Sequence, residues 1–97
     1  MIRNSAPTIQ VELTTHEGVV FSGMANSAEL SHASGTVQIE PDGTDYFGCI
    51  EAGEITLRIG NDFRFFSVRE ATASVEARRL TVIAEVMQPA VRPALPA

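Results

Sequence analysis

The sequence has little cysteine, and it has no tryptophan and no lysine. Because Cys49 is the one cysteine, no disulfide can form within the chain, and a reducing, cytoplasmic compartment is expected. Long apolar runs are also missing: the longest cover three or four residues, as at residues 19–21, far fewer than a membrane span needs. Residues 1–5 lack the apolar stretch of a signal peptide. We therefore expect no direct membrane insertion.

Positive charge is scarce as well. All seven basic residues are arginine, and the net charge is −5. A protein that binds a phosphate backbone needs an excess of cations to displace counterions. The charge balance therefore argues against nucleic acid as a partner.

Period-two alternation of apolar and polar residues dominates what is present. It is clearest in two runs of apolar residues, Ile9, Val11 and Leu13, and then Ile55, Leu57 and Ile59. Turn formers separate such runs, as at Pro41-Asp42-Gly43. The pattern predicts an all-β domain, a two-sheet antiparallel β-sandwich of about eight to ten short strands.

The chain length fits one domain. We place the β-sandwich at residues 1–88 and an extended, disordered, proline-rich tail at residues 89–97. Three prolines, Pro89, Pro93 and Pro96, make a helix there untenable.

A search for catalytic or metal-binding constellations gives no candidate. His16 and His32 lie far apart, each beside a turn, whereas a metal site needs ligands at short, fixed spacing. Asp42 and Asp45 supply too few oxygens for a calcium loop and are interpreted as turn formers. Cys49 sits in an apolar segment and is predicted to be a buried, inert thiol. We expect no cofactor, no metal and no catalytic residue.

Three stretches resemble the amino-terminal β-sandwich domain of the epsilon subunit of F-type ATP synthases. Residues 11–23 read VELTTHEGVVFSG, similar to the opening strand, sharp turn and F-S-G segment of that family. Residues 35–53 carry apolar, proline and glycine positions like those of its central loop, at Val37, Ile39, Pro41, Ile50 and Gly53. Residues 65–85 resemble its closing strands, with L-T-V-I-A-E at the end.

Several positions depart from the family pattern. Thr36 stands where the central loop usually has an acid, and Gln38 where it has a second glycine. Asp42-Gly43 replaces a glycine-histidine pair, and Glu70-Ala71 replaces a paired glycine. The region around residues 41–46 is closer to the sodium-motive-type ATPase version of the subunit.

The resemblance implies a non-catalytic rotor-stalk subunit that couples the gamma subunit to the membrane ring. The chain would then lie in the cytoplasm, peripheral to the inner face of the plasma membrane. It also implies that Gly35, Ile39 and Pro41 belong to a ring-facing loop, although all three positions are equally compatible with turn or core roles. Because the sequence stops after the sandwich, the carboxy-terminal inhibitory hairpin of the family is expected to be missing.

Charge adds Glu40, Asp42 and Asp45 to the same loop as candidate contacts for Arg-bearing or Lys-bearing partner loops. Two alternatives remain open. The chain could be a free-standing β-sandwich that binds another protein or a small ligand outside the ATP synthase. It could also be an enzyme of the cupin or another barrel type, which would require a bound metal.

Overall fold

The computed structural model describes residues 7–90. These residues form seven β-strands and no helix. The strands are β1 (Ile9–Thr15), β2 (Gly18–Ala25), β3 (Ser27–His32), β4 (Gly35–Ile39), β5 (Tyr46–Ile59), β6 (Asp62–Glu76) and β7 (Arg79–Ala90). The prediction of an all-β chain is confirmed. Within residues 7–90, no helix is long and apolar enough to cross a membrane.

The alternation in the sequence sets which side of each strand is buried. In β1, Ile9, Val11 and Leu13 are almost fully buried, while Gln10 and Glu12 between them are partly exposed. Successive side chains of a strand point to opposite faces, so an alternating sequence leaves one face apolar and the other wet. The same rule holds in β7 as far as residue 84.

The strands form one hydrogen-bonded sheet in the order β2-β1-β7-β6-β5-β3-β4. Neighbouring strands are antiparallel except β1 and β7, which run parallel from the Gln10–Arg79 pair to the Thr15–Ala84 pair. An early and a late part of the chain thus lie side by side at the centre of the fold. The sequence predicts a purely antiparallel arrangement, and this prediction is wrong for the pair of β1 and β7.

Three strands, β5, β6 and β7, bend at the same level. Buried side chains of β6 occupy even positions before the bend and odd positions after it: Phe66, Val68, Ala71, Ala73 and Val75. Ladder pairing is interrupted at the neighbouring positions Glu51, Glu70 and Glu85. The inward side of each strand therefore changes there, and the sheet folds over itself into two layers.

The first layer contains β1, β2 and residues 46–50, 71–76 and 79–84. The second contains β3, β4 and residues 52–59, 62–69 and 86–90. The layers meet where Phe21 of β2 packs against Phe66 of β6, with ring centroids 5.9 Å apart, although two strands separate β2 from β6 in the sheet. Arg64 lies over the Phe21 ring, its guanidinium carbon 5.8 Å from the centroid, and covers this edge of the core.

Backbone strain marks the bend. Glu70 has a φ of 52°, which is in the left-handed region of backbone conformation. A residue other than glycine is destabilised there by about 1–2 kcal/mol. This is the position at which the resemblance leads one to expect glycine. The bend is thus retained without the residue that adopts it most easily, and strand pairing on both sides must hold Glu70 in place.

The bends also explain the strand count. Seven strands occur instead of eight to ten, because the change of alternation at each bend resembles the end of one strand and the start of another. At the carboxy-terminal side, β7 continues through Pro89 and Ala90, which pair with Phe66 and Phe65. The predicted tail beyond them, residues 91–97, lies outside the described residues, so its extended, disordered character stays a prediction.

Candidate functional site

The loop between β4 and β5 collects most of the residues that the sequence suggests for partner binding. The backbone N–H of Gly43 donates to the carbonyl of Glu40 at 3.0 Å, which closes a β-turn with Pro41 at its second position. Asp42 and Asp45 are exposed on this loop. Glu40 is exposed as well and accepts a hydrogen bond from the Gln38 side chain at 3.0 Å. The loop at residues 40–45, which we call the acidic loop, therefore presents three carboxylates to solvent.

Gly35 and Ile39 lie apart from that turn. Gly35 begins β4 with a φ of 139°, next to the tight connection from β3. Because β4 has five residues, Gly35 is about 13 Å from the end that leads into the acidic loop. Ile39 is 4% exposed and packs in the core opposite Ala28. The structure thus brings Glu40, Pro41, Asp42 and Asp45 together, and it places neither Gly35 nor the Ile39 side chain with them.

A groove of about 300 Å³ borders the acidic loop, lined by Pro7, Asn26, Glu40, Pro41, Asp42, Arg58 and Arg78. Asn26, one of the lining residues, makes two hydrogen bonds. The side-chain oxygen of Asn26 accepts from the backbone N–H of Gly60 at 2.7 Å, and the backbone N–H of Asn26 donates to the carbonyl of Arg58 at 2.7 Å. These bonds tie the link between β2 and β3 to the turn between β5 and β6. Hydrogen bonds therefore hold one wall of the groove beside the loop.

Part of the outer face of the first layer carries almost no charge, although the adjoining row contains Glu76 and Arg79. One row of cross-strand neighbours runs over five strands and consists of Cys49, Thr72, Ile83, Thr14 and Val19. The next row consists of Phe47, Ser74, Thr81, Glu12 and Ser22. We call these ten residues the threonine face. Glu12 is its one charged member.

Large apolar side chains stand out from the threonine face. Phe47 is 72% exposed, Val19 60% and Ile83 56%. Around them lie small hydroxyl side chains, which leave the apolar groups accessible. Depletion of charge around exposed aromatic and aliphatic side chains is typical of the central part of a protein–protein interface. The face is therefore the strongest candidate for a docking surface in the described part of the chain.

Cys49 is exposed on this face, and the prediction that it is buried is wrong. In residues 46–50, Phe47 and Cys49 point outward, whereas Tyr46 and Gly48 are partly buried and Ile50 is fully buried. Because this run is apolar at almost every position, its hydrophobicity does not indicate which side is inward. The thiol consequently lies at one end of the threonine face, near Phe47, rather than in the core.

Sequence reasoning missed Phe47, Ile83 and Val19. A signal was available for Ile83, since it breaks the alternation of Leu80, Val82 and Ala84 by placing an apolar residue at a polar position. An apolar side chain out of phase in an otherwise regular strand predicts an exposed contact.

Metal-ligating side chains are scattered over residues 7–90. No group of three or more His, Cys, Asp or Glu side chains is arranged there to hold a metal ion. His16 lies in the turn between β1 and β2, and His32 ends β3, so the two histidines belong to different layers.

Comparison with known proteins agrees with this picture. The family model described as ATP synthase, Delta/Epsilon chain, beta-sandwich domain matches residues 8–90. A chain in the Euglena gracilis mitochondrial ATP synthase structure (OSCP/F1/c-ring) superposes with a TM-score of 0.78 at 11% identity, covering 90% of this chain and 56% of its own. A chain in the Tetrahymena thermophila mitochondrial ATP synthase structure (central stalk/c-ring) gives 0.68 at 11% identity, covering 81% and 64%. No curated protein matches the sequence.

At such identities, these superpositions establish a shared fold. This chain spans little more than half of one matched chain and under two thirds of the other. The β-sandwich expectation is confirmed by the family match, which extends over all seven strands.

Proposed function

We propose that this chain, which belongs to the family of the ATP synthase delta/epsilon chain β-sandwich domain, is a non-catalytic subunit of the central stalk of a rotary ATP synthase. The match over residues 8–90 is the observation that carries the proposal. In this role the chain joins the gamma subunit to the membrane ring. It needs no cofactor, because its contribution is mechanical.

The threonine face is the surface that we assign to the gamma subunit. A stalk joint must hold its partner through many rotations, which favours a broad contact of apolar and neutral side chains over a few surface ion pairs. Phe47 and Ile83 supply the exposed apolar area for such a contact, and both are anchored on strands. Strands of a packed sandwich deform little, so torque crosses the joint with little loss.

The acidic loop is the surface that we assign to the ring. Glu40, Asp42 and Asp45 present negative charge at one place, which complements arginine or lysine on partner loops. Pro41 fixes the turn that displays them. Ile39 anchors β4 in the core just before the loop, whereas Gly35 lies at the far end of β4 and has no part in this contact.

The location follows from the role. A stalk subunit of this kind lies in the cytoplasm, peripheral to the inner face of the plasma membrane, and is held there by its partners. The sodium-motive subtype suggested by residues 41–46 stays a prediction, because neither the threonine face nor the acidic loop indicates which ion the ring carries.

The direct test is affinity purification of the tagged full chain from its native cells, with mass spectrometry of the co-purifying proteins. Recovery of the gamma subunit together with the catalytic alpha and beta subunits supports the proposal. Recovery of the chain alone, or with unrelated partners only, would leave the fold intact and favour the free-standing binding domain.

Cys49 provides a second test, because it is the sole cysteine and lies on the threonine face. We expect its alkylation by N-ethylmaleimide to slow by about tenfold or more in the complex with the gamma subunit, since interface cores exclude solvent. The rate is measured by intact-mass spectrometry on the free and the complexed chain. A control with cysteine introduced at Ser67, an exposed position on the second layer, should react equally fast in both states. Equal rates for Cys49 would remove the gamma subunit from the end of this face formed by Phe47 and Cys49.

Charge reversal tests the acidic loop. We expect Asp42→Lys combined with Asp45→Lys to slow association with a nanodisc-embedded ring by about tenfold at low salt, because like charges then face each other. Biolayer interferometry at low and high ionic strength measures the rate. Glu17→Lys with Glu85→Lys changes the net charge equally at a groove elsewhere on the molecule and should have little effect. An equal effect of both pairs would mean that total charge, rather than the loop, governs binding.

A further inference from the structure

The second layer carries an aromatic pair on its outer face. Phe63 and Phe65 lie two residues apart on β6, with nearly parallel rings (18°) whose centroids are 6.4 Å apart. Phe63 is 54% exposed. Neither residue has a role in the proposed stalk contacts, since this face belongs to the other layer. An exposed phenyl ring stacked on a partly buried one is costly to leave in water and indicates a contact.

Carboxylates share the groove with these rings. The groove has a volume of about 390 Å³ and is lined by Glu29, Ser31, Glu54, Thr56, Phe63 and Phe65. Thr56 of β5 pairs with both Glu29 of β3 and Phe65 of β6, so one cross-strand row leads from carboxylate to ring. Glu54, two positions along β5, is a diagonal neighbour of Phe65, about 7–8 Å away along the sheet.

The side chains that line the groove carry negative charge only; Arg69 of β6, a diagonal neighbour of Glu54, is not among them. Arg58 lies opposite Phe63 in the ladder, but its guanidinium donates to the Gly60 carbonyl at 3.4 Å and lines the groove beside the acidic loop instead. Phenyl faces attract cations through the ring quadrupole, and the carboxylates add to that attraction. The chemistry therefore selects a cation and disfavours an anion.

We propose that this groove binds arginine side chains presented by an extended segment of another protein. A guanidinium is planar, stacks on an aromatic face and can donate to a carboxylate at the same time, which an ammonium cannot match. Alternate residues of an extended chain lie about 6.6–7 Å apart on one side, close to the 6.4 Å between the two rings. Two arginines separated by one residue therefore fit the pair. A second copy of this chain does not, because pairing two such faces would bring Glu29 and Glu54 of both copies together.

The test is a titration of the isotope-labelled full chain with the peptide acetyl-Gly-Arg-Gly-Arg-Gly-amide, followed by amide chemical shifts. We expect saturable shifts centred on Thr56, Phe63 and Phe65. The same peptide with citrulline for arginine keeps the shape and removes the charge, and it should bind at least fivefold more weakly. Phe63→Ala should weaken binding of the arginine peptide about fivefold, and Glu29→Gln about threefold.

Phe47→Ala is the matched control, because Phe47 is also an exposed phenylalanine but lies on the first layer. It should leave the affinity unchanged. Equal binding of the citrulline peptide, no effect of Phe63→Ala, or shifts that map to the threonine face would each overturn the proposal. So would shifts at Phe63 that grow with protein concentration in the absence of peptide, since they would show that a second copy occupies the groove. The experiment needs no ATP synthase subunit, so its outcome is separate from that of the stalk proposal.

Discussion

Replacing Gly53 with alanine is expected to lower the free energy of unfolding by about 3 kcal/mol. Gly53 lies on β5 opposite His32 at the end of β3. A Cβ added there would overlap the carbonyl oxygen of Ser31, and it would also press on a methyl group of Ile50 at 3.0 Å. Because the overlapping atom belongs to the backbone, it cannot move without opening the ladder between β3 and β5. For a domain of this size, such a loss lowers Tm by about 12–24 °C.

Gly23→Ala is the matched control for this prediction. Gly23 is also a strand glycine, but the nearest atom to an added Cβ is the tip of the Phe21 ring, at 3.4 Å. A side chain can yield there, so the change in free energy should stay within about 0.5 kcal/mol. Denaturant unfolding of both variants measures the difference. Equal stability of the two would show that β3 and β5 approach less closely than described.

Combining Phe47→Asp with Ile83→Asp should weaken binding to the gamma subunit by at least about 500-fold. Burial of each apolar side chain is lost, and each new carboxylate must be desolvated within the contact, so each substitution is expected to cost about 2 kcal/mol or more. The fold should persist, because both side chains project into solvent. Isothermal titration calorimetry with purified gamma subunit gives the affinity, and thermal unfolding verifies that the variant is intact.

Phe63→Asp serves as the control for the double variant. It also places a carboxylate at an exposed phenylalanine, but on the outer face of the second layer. Undiminished binding of that variant, together with loss of binding by the double variant, would locate the contact on the threonine face. A double variant that binds normally would show that the gamma subunit uses another surface.

The sequence is sufficient for the parts of the fold that depend on local pattern. Ile9, Val11 and Leu13 alternate with polar residues, and all three are buried. The turn at Pro41-Asp42-Gly43 follows from residues that favour turns and is present, closed by the Gly43 to Glu40 hydrogen bond. Both features are decided within a few residues of chain.

Features that depend on distant residues were not accessible in the same way. The parallel pairing of β1 with β7 is decided by which strand ends meet in space, and no local pattern encodes it. Glu70 has a side chain that disfavours its left-handed backbone, so nothing in its identity indicates the bend. The orientation of Cys49 depends on where β5 bends. Because residues 46–50 are apolar at almost every position, no alternation in the sequence indicates which side chains face inward.

The same distinction between local and distant residues applies to the candidate site. The acidic loop is contiguous in sequence, so its carboxylates could be proposed together. The threonine face takes two residues from each of five strand segments, and it becomes visible only when the register of those segments is known.

The position of β1 beside β7 has a consequence for how the protein is made. During synthesis β1 leaves the ribosome first, yet the strand that covers one of its edges is the last of the seven to appear. Until then, the nascent chain has a hairpin of β1 and β2 with an open edge and with Ile9, Val11 and Leu13 unburied. Pairings between such distant segments form slowly, and exposed apolar strands aggregate in the meantime. The native sheet is therefore completed only late in translation or after release, once β7 pairs with β1.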